Sequence, residues 1–193
     1  NWKVRAVAGA IFPPGAVTVH EEAPADFDAK VRFWDKAGSL DGDWSCGVLV
    51  GMKAGLVWVL DVQRGRWRAV DRERVVYNTA MLDGRDVPVR LEQEPGSGGK
   101  ESAENTVRML AGWDVAAQTA TGDKVSRWRP FAAQWQAGNV RVLARPWTAA
   151  YLDELAQCPD GPHDDQADAS AGAFTHAARL AASVPWTVHD EGY

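Results

Sequence analysis

Three β-rich runs follow one another between Val31 and Gln63, and from Val70 onward strand-length runs alternate with helix-length ones. Val31 to Asp35 alternates as a short strand ending in an acid. Ser45 to Met52 and Leu56 to Gln63 flank Lys53, Ala54 and Gly55, the pattern of a hairpin. Val70 to Met81 fits an amphipathic helix with Val75, Val76 and Met81 on its apolar side. Val87 to Glu92 reads as a strand, followed by the glycine-rich turn EPGSGGKES and a helix through Leu110. Then come a strand at Val115 to Gln118, a helix at Asp123 to Gln136 with basic residues on one side, and a strand at Val140 to Leu143. Helices at Trp147 to Gln157 and Asp164 to Ala182 close the order. A meander followed by alternation predicts an α/β fold, a mixed sheet with helices on its faces.

Residues 1–25, with Pro13, Pro14, Gly15 and Pro24, read as an extended entry or linker segment ahead of a domain over residues 26–193. The chain starts at Asn1 rather than Met and is read as a piece of a longer or a processed protein. Its 193 residues suit one domain with a substantial core, and 46% apolar against 24% charged residues indicates a globular chain. No apolar run approaches the roughly 18 residues of a membrane span, and no signal peptide is visible, so no membrane partner is expected. Cys46 and Cys158 lack metal-ligand spacing, which argues against a zinc site or a disulfide framework.

A net charge of −5 counts against a nucleic-acid partner until charge is read locally. From Thr121 to Arg145, Lys124, Arg127, Arg129, Arg141 and Arg145 stand against Asp123 alone. From Thr148 onward, Arg179 stands against eight acids. Such segregation suits an acidic metal site beside a basic DNA track. Most of the ten tryptophans should pack in the core, with Trp128 or Trp135, near the basic stretch, available to stack on bases.

Asp35 ends the first β-rich run, Glu92 ends the strand before the glycine-rich turn, and Asp164, Asp165 and Asp168 open the last helix. Single acids at such places are commonly turn formers or helix caps. If they converge, each pair about 4 Å apart repels by roughly 4 kcal/mol at an effective dielectric near 20. A shared proton or bound cations must then offset that repulsion. Hard oxygen ligands suit Mg²⁺ or Mn²⁺, and two such ions can drive phosphodiester hydrolysis. On the last helix Asp165, Ala169, Gly172, Ala173, His176 and Leu180 share one stripe, small at its start. That stripe points Asp165 toward the strand ends, makes Asp164 an N-cap and leaves Asp168 as an auxiliary ligand. EPGSGGKES imitates a phosphate-binding P-loop but fails its pattern, because Glu94 and Glu101 stand where a glycine and a hydroxyl are required. Lys100 and the loop's backbone amides could still approach a DNA phosphate.

Taken together, FWDKAGS, LDGDWSCGVLVG with VWVLDVQRGRW, VRLEQEPGSGGK, TGDKVSRWRPFAAQWQAGNVRVL and GPHDDQADASAGAF, in that order, resemble the C-terminal nuclease domain of phage terminase large subunits. The likeness runs from about Phe33 to Leu180. It implies an RNase H-like mixed sheet flanked by helices on both faces, and DNA endonuclease activity dependent on two Mg²⁺ or Mn²⁺ ions. The family's first acid falls on Asp35, its second on Glu92 and its third on Asp165 or Asp164. Its basic positions after the TGDK turn fall on Lys124 and Arg127, which with Arg129 would contact DNA. His163 would be a cap or a support for the site. The likeness also implies duplex DNA as substrate, an ATPase domain, portal and small terminase subunit as partners, and the bacterial host cytoplasm as location. Without a P-loop in the chain, cutting is expected but not translocation. The rival expectations are a resolvase or transposase-like nuclease, and a non-catalytic DNA-binding or assembly module.

Overall fold

The computed structural model describes residues 10–37 and 44–183. The seven strands are β1 (Thr18–His20), β2 (Ala29–Asp35), β3 (Ser45–Lys53), β4 (Leu56–Gly65), β5 (Val89–Gln93), β6 (Val115–Thr119) and β7 (Val140–Leu143). The helices are α1 (Ala69–Asp83), α2 (Ser97–Met109), α3 (Lys124–Gln136), α4 (Thr148–Leu155) and α5 (Asp165–Ser183). The strands form one mixed sheet in the order β1-β7-β4-β3-β2-β5-β6. β2, β3 and β4 are the antiparallel meander, and the remaining neighbours pair in parallel. The β3–β4 turn uses positive φ at Ala54 (49°) and Gly55 (77°), the backbone a two-residue hairpin loop requires.

Side-chain alternation along the strands makes two cores. Val31, Phe33, Cys46, Val48, Val50 and Val62 face α3, α4 and α5, where they meet Trp128, Phe131, Trp135, Tyr151 and Phe174. Trp34, Val89 and Leu91 face the other way, with Val76, Ala80 and Leu110 of the α1–α2 layer. The α/β architecture expected from the sequence, a mixed sheet with helices on both faces, is thus the one observed.

Several expectations need correction. Met81 is 54% exposed, and Thr79 and Ala80 fill its place on the buried side of α1. Gly98 and Gly99 lie within α2, whose first turn begins at Ser97. Trp128 and Trp135 are not base-stacking platforms: both are buried, and their indole N–H groups donate to Asp168 and to the Pro13 carbonyl. Of the extended entry segment, residues 1–9 lie outside the described residues; in the rest Phe12 is fully buried against Trp128, Phe131 and Trp135, and β1 extends the sheet beside β7. Cys46 and Cys158 are both free and buried, packed as small hydrophobes.

The small stripe of α5 is what lets that helix lie close on β2. A Cβ on Gly172 would sit 2.7 Å from the Phe33 ring, and His176 stacks over the same ring at 6.0 Å between centroids. Gly172→Ala is therefore expected to lower stability by roughly 1–3 kcal/mol through overpacking, measured as a shift of the urea unfolding midpoint. Unchanged stability would show that α5 does not depend on this close approach.

Candidate active site

β2 and β5 are parallel neighbours with Trp34 opposite Leu91, so Asp35 and Glu92 lie one residue further along strands about 4.8 Å apart. Both project on the α5 face, because Trp34 and Leu91 project on the other. α5 begins over this edge, where Asp165 and Asp168 are 4% and 5% exposed. Burial first, and then the charges of Glu92, Asp168 and Asp165, hold the Asp35 carboxyl well above the ordinary carboxylate range, with Lys124 acting in the opposite sense. Glu92 is likewise raised, first by burial, while Arg127 opposes the shift. Acids from two strands and one helix thus share one electrostatic environment.

α3 supplies the counter-charge. Asp123 caps it by accepting from the Ser126 amide at 2.9 Å, which sets Lys124 and Arg127 one turn apart facing α5. Lys124 Nζ lies 2.8 Å from Asp164 Oδ1 and 3.3 Å from Asp168 Oδ2. Arg127 reaches Asp168 Oδ1 at 3.0 Å and Glu92 Oε1 at 3.9 Å. Burial alone would depress the Lys124 ammonium, but its hydrogen bond to Asp164 and the nearby Asp168 charge raise its proton affinity. Asp168 also accepts from Trp128 Nε1 at 2.8 Å, so its carboxylate is the most firmly held of the group.

Of the acids singled out in the sequence, Asp35, Glu92, Asp165 and Asp168 come together, while Asp164 stands at the rim on Lys124. Arg129 is exposed on α3, and the Lys100 ammonium lies 3.7 Å from Glu104 on its own helix. His163 packs edge-on against Trp44, with centroids 6.3 Å apart. Sequence reasoning missed the support behind the site, where Lys36, the residue after Asp35, is buried on the opposite face. Its ammonium meets Glu73 at 3.2 Å, Ser102 Oγ at 3.0 Å and Thr106 Oγ1 at 2.8 Å. A cation directly following the strand-end acid was the available signal. Two cavities of about 320 Å³ flank Glu92, one bordered by Ser126, Arg127 and Arg179, the other by Lys36, Arg72 and Gly99.

The all-carboxylate donor set and the raised proton affinity of Asp35 fit a divalent cation. Among the described residues no three His, Cys, Asp or Glu side chains already stand as a ligand set, consistent with Lys124 and Arg127 drawing Asp164 and Asp168 to themselves. The raised values have a thermodynamic sign. Asp35 and Glu92 bind protons more readily folded than unfolded, so their stabilising contribution is complete below the unfolded value near 4 and is lost as pH rises through the folded one. Without divalent ions, Asp35→Asn is expected to melt above the parent at pH 8, with the gap closing toward pH 4; each kcal/mol moves the midpoint by about 2–4 °C. A gap independent of pH in thermal melts would contradict the charge cluster.

The fold has counterparts in solved structures. The large terminase nuclease of thermophilic phage G20c superposes with a TM-score of 0.63 at 15% identity, over 86% of this chain and 97% of that one. The P22 large terminase nuclease domain gives 0.64 at 13% identity, over 90% and 97%. The large terminase of another thermophilic bacteriophage gives 0.59 at 13% identity, over 86% of this chain but only 44% of that one. The G20c nuclease has also been solved with bound magnesium and with bound zinc. No curated protein sequence matches the chain. The family model of the terminase RNaseH-like domain matches residues 32–177, from the middle of β2 to within α5, and so takes in all four converging acids. On that match the chain belongs to the terminase RNase H-like domain family.

Proposed function

We propose that this chain is a metal-dependent endonuclease that hydrolyses phosphodiester bonds of duplex DNA. The observation that carries the reading is the convergence of Asp35, Glu92, Asp165 and Asp168 at one sheet edge, with the proton affinity of Asp35 raised by burial and then by the others' charge. These four would hold Mg²⁺ or Mn²⁺, with two ions the number that suits a carboxylate site acting on phosphodiesters, and Asp164 in reserve at the rim. Bound divalent ions supply activation of an attacking water and neutralise charge on the phosphate and the leaving oxygen. That solved G20c nucleases carry magnesium or zinc supports a divalent requirement.

The chain's own residues do the positioning. Burial shields Asp165 and Asp168 from bulk water, and Trp128 with Arg127 fixes the Asp168 carboxylate. Lys124 and Arg127 sit at the rim, where a DNA phosphate can compete with Asp164 and Glu92 for them. Lys100 and Arg129, both exposed, extend that basic rim along the substrate. No side-chain nucleophile is required.

The same reading places the chain beside an ATPase domain, since it spans 44% of the longer thermophilic-phage large terminase, which has been solved in complex with ADP. Portal and small terminase subunit would be its assembly partners, and the bacterial cytoplasm its place of action. Among the described residues no helix is long and apolar enough to cross a membrane.

Plasmid nicking in Mn²⁺ tests the proposal. Asp35→Asn is expected to lose about two orders of magnitude in rate, roughly 3 kcal/mol of barrier at about 1.36 kcal/mol per tenfold. Millimolar Mn²⁺ is expected to raise the melting temperature of the parent and not of the variant. Nicking retained by a folded Asp35→Asn variant would remove the assignment.

A further inference from the structure

The segment QRGRWR, which closes β4 and leads to α1, lies outside the basic stretch that charge segregation singles out in the sequence. In the structure it builds a rigid cationic stack. The Arg64 guanidinium lies 4.3 Å and the Arg66 guanidinium 4.7 Å from the centre of one indole, Trp44. His163 meets the same ring edge-on, which ties the stack to the start of α5. Strand alternation explains the aim. A Cβ on Gly65 would sit 2.2 Å from the Trp67 ring, so Trp67 folds under the strand toward the α1–α2 core while Arg64 and Arg66 turn to the α5 face.

The two arginines differ in charge balance. Arg64 is neutralised by the buried Glu154, 2.9 Å away, whose carboxylate also accepts from the amide and side chain of Gln166. Arg66 is exposed, and among the described residues no acid is paired with it. Holding a guanidinium on an aromatic ring without a counterion leaves a preorganised anion-binding group. Its position matters. Asp35 pairs with Cys46 and Cys46 with Arg64, so Arg64 is level with Asp35 on the same face, two strands or about 10 Å away, and Arg66 follows just past the end of β4.

We propose that Arg66, braced by Trp44 and Arg64, is a second anchor for the DNA backbone, taking a phosphate close to the one at the acid cluster. The inference rests on the nuclease reading, and it assigns the β3–β4 end of the sheet edge, rather than α3 alone, as the track. Arg66 acts by charge on phosphate, so its loss weakens all sequences alike.

Fluorescence anisotropy of a labelled duplex, titrated with salt in the absence of divalent ions, tests this directly. Arg66→Gln is expected to bind about 5–10-fold more weakly at moderate salt, with the slope of log K against log salt shallower by about 0.9, one phosphate contact. Arg66→Lys keeps the charge and is expected to keep the slope. A wild-type slope in Arg66→Gln overturns the anchor, and so does weaker binding at an unchanged slope, which would mean a neutral contact. Nicking by Asp35→Asn separates the two proposals. If that variant still cuts while Arg66→Gln shows the shallower slope, the hydrolytic site is wrong and the anchor stands. A parent chain that binds no duplex at any salt overturns both.

Discussion

Four carboxylates from β2, β5 and α5 meet at one place, where burial and then the neighbouring acids raise the proton affinity of Asp35 and Glu92, and the surrounding structure is arranged to tolerate that repulsion. Three devices offset it. Asp168 is fixed by donors from Trp128, Arg127 and Lys124, so its negative charge is matched locally. Asp35 holds a proton more readily than an exposed carboxylate does, through burial and then the charges around it, which eases the repulsion at the centre. Lys124 bridges Asp164 and Asp168 across the α3–α5 seam, so two helices otherwise held by Phe131 and Phe174 are also held by charge. These offsets are provisional in a way that an aliphatic core is not. Each can be exchanged for a cation of another kind, because the groups involved stand at the sheet edge and not within its core.

The site also depends on the opposite face of the sheet. Along β2 the residues alternate between Val31, Phe33 and Asp35 on one side and Arg32 and Trp34 on the other, with Lys36 following. Arg32 is buried and bridges Asp83 of α1, at 2.7 Å, and Asp61 of β4, at 2.9 Å. Lys36 meets Glu73 of α1. A one-residue slip of β2 would carry Asp35 away from Glu92 and drive Arg32 into the aromatic core. Removing a partner of a buried ion pair costs on the order of 3–5 kcal/mol, so the Arg32 bridges specify register as well as packing. The glycines complete the fit. Gly47 lies opposite Trp34, whose ring would be 2.6 Å from any Cβ placed there.

Much of this is legible in sequence because strand and helix periods differ. The runs at Ser45–Met52, Leu56–Gln63 and Val140–Leu143 mark real strands, and Asp35 and Glu92 stand out by ending theirs. Asp165 stands out from the spacing of small residues on α5. What the pattern cannot show is pairing in space. Helical periodicity puts Met81 inward, yet α1 turns Thr79 and Ala80 to the core and leaves Met81 in solvent, since tertiary contacts decide which side of a weakly amphipathic helix is covered. Trp128 reads as a surface aromatic beside basic residues, and only the fold reveals that its N–H serves Asp168. Asp168 reads as auxiliary because spacing alone does not record hydrogen-bond donors.

Charge shows the limit of linear reading most clearly. The basic stretch from Thr121 and the acidic stretch from Thr148 look like separate territories, a DNA track and a metal site. Folding instead lays them against each other, and the sequence-local excess of Lys124 and Arg127 is consumed by Asp164, Asp168 and Glu92. On the proposed nuclease reading, part of the positive potential that meets DNA then comes from elsewhere, or from these cations only after their acids have found other partners. The arginines at the end of β4 satisfy the first condition. They sit in a segment whose charge is diluted in sequence by Asp61, Asp71 and Glu73. In space, Asp61 and Glu73 are spent on Arg32 and Lys36 beneath the sheet, and Asp71 is bonded to Arg74 on α1, which leaves Arg66 with no paired acid among the described residues. Net charge by segment therefore misses Arg66, while charge counted after pairing adds the edge that Asp35 and Arg66 share to the proposed track.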